Sequence, residues 1–211
     1  MNNTKLPASA VILAGGKSRR MKEDKQQLTL GGQWLMEDLI NILDALFEEV
    51  IVVSNEAHLY QSLPVKVIQD EPSFKGLGPL AGIHASIQAM DYDCLFLTAC
   101  DMPRLNETMI RQQFNQLIHT NTQGCILTSQ DQQIDLYPFH AFYHKSIETL
   151  LHQALKNQTL KLRFFLKQLS LSSVDFDQFN LDQSLDEFML NLNTPQDRLN
   201  YEQFLERRSL I

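Results

Sequence analysis

The sequence predicts an α/β fold: a Rossmann-like, mostly parallel sheet flanked by helices, with a small mixed antiparallel part towards the C-terminus. Two observations predict it. Short, continuous apolar runs rich in β-branched residues alternate with amphipathic stretches of helical period. The loops that follow those runs carry glycine, proline and acidic residues, as βα connections do.

Taken in order, Ala8–Ala14 reads as a buried strand and Gln33–Phe47 as an amphipathic helix. Val50–Ser54 and Val65–Gln69 are expected as further strands, and Pro79–Met90 as a helix opened by its proline. Cys94–Thr98 reads as a strand, Asn106–His119 as a helix and Cys125–Thr128 as a strand. The order β-α-β predicts right-handed crossovers and parallel pairing. Beyond this point the pattern is less regular. Asp135–Tyr143 is expected to hold one or two antiparallel strands, and Ser146–Lys156 and Thr159–Leu169 read as helices. Pro195–Arg207 reads as a terminal helix with Thr194 as its N-cap.

The 211 residues suit a single domain, with no repeat or linker. A net charge of −7 argues against a nucleic-acid partner, because phosphate-backbone binding needs a broad basic surface. An acidic chain that binds an anionic ligand must gather its cations locally, and the residues from Lys17 to Lys25 do so. Cys94, Cys100 and Cys125 lack metal or disulfide spacing and lie in or beside apolar runs, so buried thiols in a reducing compartment are expected. No apolar run suits a signal peptide or a membrane span, which points to the cytoplasm and to no membrane partner.

The first expected strand runs directly into Gly15-Gly16-Lys17-Ser18-Arg19-Arg20-Met21-Lys22-Glu23-Asp24-Lys25. Ligands in parallel α/β sheets sit beyond the carboxyl ends of strands. A glycine pair there lets backbone N–H groups approach phosphate oxygens, and the basic side chains supply countercharge. A solvated turn is the plainer reading of the glycine pair alone. A Walker A loop is excluded because Val11 stands where its first glycine belongs, and the dinucleotide pattern fails at Lys17. Later loops add to the same end of the sheet. Residues 76–79 place Gly-Leu-Gly-Pro before a helix, which brings free N–H groups towards the strand ends. Asp101, after the strand Cys94–Thr98, is well placed to hold Mg²⁺ against substrate phosphates. Among the histidines, His84, His140 and His144 read as structural or exposed, and the aromatics of Tyr137–Tyr143 as core.

These segments together resemble the nucleotidyltransferases that act on molybdenum cofactor, the molybdopterin-guanine dinucleotide biosynthesis protein A family. The first loop is similar to its LAGGxSxRMGxDK signature at Leu13, Ala14, Gly15, Gly16, Ser18, Arg20, Met21, Asp24 and Lys25. Lys22 replaces the family's glycine. Asp70 with Gly78-Pro79-Leu80-Ala81-Gly82-Ile83, the Cys100-Asp101-Met102-Pro103 segment and Asn191-Leu192-Asn193-Thr194-Pro195-Gln196-Asp197 match its later motifs in order.

The resemblance implies transfer of GMP from GTP to the phosphate of molybdenum-molybdopterin, with release of pyrophosphate and with Mg²⁺ as cofactor. It implies GTP binding by Leu13, Ala14, Gly15, Gly16, Lys25, Asn55, Asp70 and Asp101, and catalytic roles for Arg20, Lys25 and Asp101. Asn191 and Asn193 are implied to lie by the pterin-side substrate, and molybdoenzyme maturation chaperones are the implied protein partners. Transfer of CMP, or loading of another phosphorylated acceptor, is the alternative within the same fold. A nucleotide-binding accessory protein with weak catalysis is the alternative of a different class, motivated by Lys22.

Overall fold

The computed structural model describes residues 4–14, 25–129 and 136–209, with side chains described to residue 203. The chain opens with β1 (Leu6–Leu13), then a two-residue hairpin of β2 (Thr29–Leu30) and β3 (Gln33–Trp34). It continues with α1 (Leu35–Leu46), β4 (Phe47–Val53), β5 (Lys66–Ile68), α2 (Pro79–Ala89) and β6 (Cys94–Ala99). There follow α3 (Glu107–Thr120), β7 (Gly124–Thr128), β8 (Ala141–His144) and α4 (Glu148–Lys156). The last elements are α5 (Leu162–Leu166), β9 (Leu171–Asp175), α6 (Leu185–Phe188) and α7 (Pro195–Ser209).

The main sheet has the order β5-β4-β1-β6-β8-β7-β9. Four strands from β5 to β6 are parallel, with β1 at the centre between β4 and β6. Strand β8 is antiparallel to both of its neighbours, and β7 pairs parallel with β9. The predicted architecture is therefore present, including the mixed C-terminal part. Alternate side chains of the central strands enter two separate cores. Ala10, Ile12, Val50, Val52 and Phe96 pack with α1 and α3, whereas Val11, Ile51, Leu95 and Leu97 pack with α2 and α4. Two covered faces explain why these strands read as unbroken apolar runs.

Helix α1 buries Leu35, Met36, Leu39, Ile40, Leu43 and Leu46, a stripe of helical period. It is shorter than the periodicity predicts at both ends. Gln33 and Trp34 pair with β2 instead, and Phe47 already opens β4. Helix α3 starts where Asn106 accepts the Met109 N–H at 3.0 Å and stops at Asn121 in the left-handed region.

The expected helix Thr159–Leu169 is only α5, five residues long. Sequence periodicity also missed β9, whose exposed edge carries Ser172 and Ser173 rather than an apolar run. Of the region expected to hold antiparallel strands, β8 is the described part, while residues 130–135 lie outside the described residues. At α7, Thr194 caps as expected: its hydroxyl accepts the Asp197 N–H at 3.2 Å, and Asp197 accepts the N–H groups of Asn193 and Thr194.

Candidate functional site

The carboxyl ends of the four parallel strands meet at one place. Backbone bonds extend the ladders past the strand ends: the Ala14 N–H donates to Val53 O at 3.0 Å, Ser54 to Ile68 O at 2.9 Å and Cys100 to Leu13 O at 3.1 Å. The loops that leave these strands border a cavity of about 480 Å³. Leu13, Lys25, Asn55, Asp70, Asp101 and Asn191 all line it. These residues come from every parallel strand end, plus one segment near the C-terminus. The topology places the cavity beside the point where the strand order reverses around β1, which is where open α/β sheets bind ligands.

At its floor, the Lys25 ammonium donates to Asp101 Oδ2 at 2.5 Å and to Asn193 Oδ1 at 2.5 Å. The pair is well covered, with side-chain exposures of 18% for Lys25 and 8% for Asp101. Asn193 is brought there by backbone: the Leu192 N–H donates to Asp101 O at 2.8 Å, tying residues 191–193 to the end of β6. Ala14 is buried just below the rim. Gly15, Gly16 and Arg20, like Lys22, lie outside the described residues.

On the opposite wall, Asp70 Oδ2 accepts the Gly76 N–H at 3.1 Å and so shapes the loop that precedes α2. Gly78 caps α2 with φ +86°, a conformation that suits glycine, and Pro79 takes the first helical position. Gly82 faces β1 so closely that a Cβ there would stand 2.8 Å from Leu13 Cδ2. Leu13 is thus held in its lining position by the bare backbone of α2.

Three residues escaped sequence reasoning. Gln26 is buried, and its Oε1 accepts from Ser54 Oγ at 2.5 Å and from Tyr60 OH at 2.9 Å. Its carbonyl accepts from the Trp34 indole at 2.5 Å. Gln26 therefore fixes the turn that carries Lys25 to the strand end that carries Asn55. Nothing in the sequence marks it, because a glutamine next to a lysine has no pattern. Lys75 also lines the cavity, and its position between Asp70 and Gly78 was the available signal. Phe139 does as well. Its neighbours Phe142 and Tyr143 are core, as expected of this aromatic segment, but Phe139 itself is only partly buried and faces the site.

The arrangement offers two carboxylates, two lysines, neutral amide side chains and an aromatic face around one cavity. Among the described residues no His or Ser lines it, and its cysteine, Cys100, is buried. Such a site suits charge neutralisation and positioning of an anionic substrate better than covalent catalysis.

Known proteins resemble this chain in sequence and fold. A molybdenum cofactor guanylyltransferase of Syntrophotalea carbinolica is 38% identical over 90% of this chain and 88% of its own length. A probable molybdenum cofactor guanylyltransferase of Peptoclostridium acidaminophilum is 32% identical over 94% of this chain and 90% of its own. The crystal structure of molybdopterin-guanine dinucleotide biosynthesis protein A from Archaeoglobus fulgidus superposes with a TM-score of 0.80 at 21% identity, covering 94% of this chain and 99% of that one. The MobA-like NTP transferase domain matches residues 10–174, from within β1 into β9, and so takes in the carboxyl end of every parallel strand that feeds the cavity. The chain belongs to that family of nucleotidyltransferases.

Proposed function

We propose that this chain is a molybdenum cofactor guanylyltransferase, acting as one nucleotidyltransferase domain, that transfers GMP from GTP to the phosphate of molybdenum-molybdopterin and releases pyrophosphate. The observation that carries the reading is the Lys25–Asp101–Asn193 cluster at the floor of a cavity rimmed by Leu13, Asn55 and Asp70. The names of the relatives support the choice of reaction.

In this reading an oxygen of the acceptor phosphate attacks the α-phosphorus of GTP, the bond from that phosphorus to the bridging oxygen breaks, and pyrophosphate leaves with that oxygen. A phosphate monoester is already anionic near neutral pH, so no strong general base is needed. What the chain must supply is alignment and positive charge. Lys25, held by Asn193 and aimed into the cavity, neutralises triphosphate oxygens, and Arg20 and the glycine pair Gly15-Gly16 are assigned the same task by the family motif. Leu13 and Ala14 bring β1 backbone to the nucleotide, while Asn55 and Asp70 offer polar groups for ribose and base. Asn191, on the C-terminal wall, is assigned to the acceptor.

Asp101 fits a divalent cation: Mg²⁺ favours one or two carboxylates together with substrate phosphates. Asp101 presents a buried carboxylate to the cavity, with Asp70 across from it. Among the described residues no three metal-ligating side chains converge on one point, which agrees with a site completed by the triphosphate itself. Mg²⁺ bound there would supply Lewis-acid polarisation of phosphate oxygens. A cytoplasmic setting goes with this reading, supported by three buried cysteines, and no helix among the described residues is long and apolar enough to cross a membrane. Maturation chaperones for molybdoenzymes are the protein partners we infer for its product.

The test is a thermal-shift panel of GTP, CTP, ATP and UTP with Mg²⁺, followed by pyrophosphate release on adding molybdopterin. Preferential stabilisation by GTP and release with molybdopterin are expected. Preference for CTP would move the chain to the cytidylyl alternative, and binding without release would make it an accessory protein.

A further inference from the structure

Apart from the nucleotide site, a groove of about 840 Å³ lies between α2 and α4. His84 of α2 and His152 of α4 meet at its wall, where His84 Nε2 and His152 Nδ1 share a hydrogen bond at 3.3 Å. We propose that this groove is a site for one divalent transition-metal ion of the zinc class, bound by these two nitrogens.

The spacing is the first argument. Two imidazole nitrogens on one tetrahedral ion, each about 2.0–2.1 Å from it, lie roughly 3.3 Å apart. The observed separation equals that value. The second argument is the far side of His84. Its Nδ1 is buried without a hydrogen-bond partner, and the nearest acceptor in its direction is Glu71 Oε2 at 3.6 Å. A proton on Nδ1 is attracted to that carboxylate and leaves the Nε2 lone pair turned to His152 Nδ1, so that a metal ion bound by both nitrogens replaces the proton they share. This carboxylate–imidazole order is the arrangement that orients a histidine for a metal.

Phe74 stands edge-on to both rings, with centroids 5.3 Å from each, and limits their rotation. Among the described residues no third His, Cys, Asp or Glu completes a ready cluster. The site is therefore a two-imidazole chelate that water completes, or Glu148, which lies one helical turn before His152 on the same face of α4 and now accepts from Gln88.

Titration of the full chain without nucleotide, with Co²⁺ followed by its visible absorption and Zn²⁺ by calorimetry, tests the site. One equivalent per chain is expected, with a tetrahedral Co²⁺ spectrum. His152→Ala, at a half-buried position, is expected to weaken binding roughly tenfold or more, and Glu71→Gln about tenfold. Unfolding temperatures taken in a chelator establish that each variant is folded. Asp101→Asn is expected to leave Co²⁺ affinity unchanged, which separates this site from the phosphate cavity. Absence of binding in the wild type overturns the proposal. So does an unchanged affinity in His152→Ala, or a loss confined to Asp101→Asn.

Discussion

The two halves of the sheet do different work. From β5 to β6 the strands are parallel, and their carboxyl ends deliver Leu13, Asn55, Asp70 and Asp101 to one cavity. From β8 to β9 the sheet is mixed, and its strands are framework. Parallel strands all end on the same side, so one half concentrates chemistry where the other cannot. The C-terminal third reaches the site by a different route: the Leu192 N–H bond to Asp101 O docks residues 191–193 against β6, and Asn193 then holds Lys25. The segment proposed to meet the acceptor thus also positions Lys25.

The sharpest way to break this contrast is Asp101→Ala. It removes the carboxylate that holds Lys25 and the best cation ligand, and pyrophosphate release is expected to fall roughly a thousandfold. An unimpaired variant would mean that the parallel half does not carry the chemistry.

The framework half has its own expected signature in pH. Burial lowers the His140 imidazole to about 4, against an ordinary value of 6.5. The folded protein keeps this ring neutral while the unfolded chain takes up a proton below about pH 6.5. Its contribution to stability is thus complete above that value and is lost as pH falls towards 4, by roughly 3 kcal/mol. Urea unfolding at pH 7 and pH 4.5 measures it, and His140→Gln should flatten that part of the slope. His140 is bonded to Gln113 of α3, which also donates to the His140 carbonyl at 2.8 Å.

Two glycines compare the halves directly. At Gly124 in β7 a Cβ would stand 2.8 Å from Leu171 Cδ2 and 3.0 Å from the Phe142 carbonyl, and a backbone oxygen cannot rotate away. Gly124→Ala is expected to cost about 1–3 kcal/mol in denaturant titration, with KM unchanged. At Gly82 the only contact under 3 Å is the end of the Leu13 side chain, which can move. Gly82→Ala is expected to leave stability within about 1 kcal/mol and to raise the KM for GTP a few-fold, because the residue displaced lines the cavity.

Between the two stands Asn193→Ala. About a tenfold rise in the KM for GTP is expected as Lys25 loses its second acceptor, whereas Asn191→Ala should act on the acceptor's KM. Equal effects on the acceptor alone would return Asn193 to the pterin side only.

Legibility in the sequence followed the same division. The parallel half is readable because each strand is buried on both faces and prints a continuous apolar run, and because Asn55, Asp70 and Asp101, which line the cavity, each lie two positions past a strand end. Strand β9 is not, since an edge strand has fewer neighbours and tolerates the serines at 172 and 173. The helix Thr159–Leu169 was overextended because local period does not reveal where the chain must turn to reach β9.

By itself the sequence determined the α/β class, the order of the parallel strands' motifs and the residues that motifs mark, since these depend on local pattern and on loops next to strands. Only the tertiary structure decided the rest. Asn193 meets Lys25 across 168 positions of chain, Gln26 anchors that lysine's turn to Ser54 and Tyr60, and His84 of one helix bonds to His152 of another. Such partners are set by how helices and strand ends pack, and packing brings together residues that share no spacing along the chain.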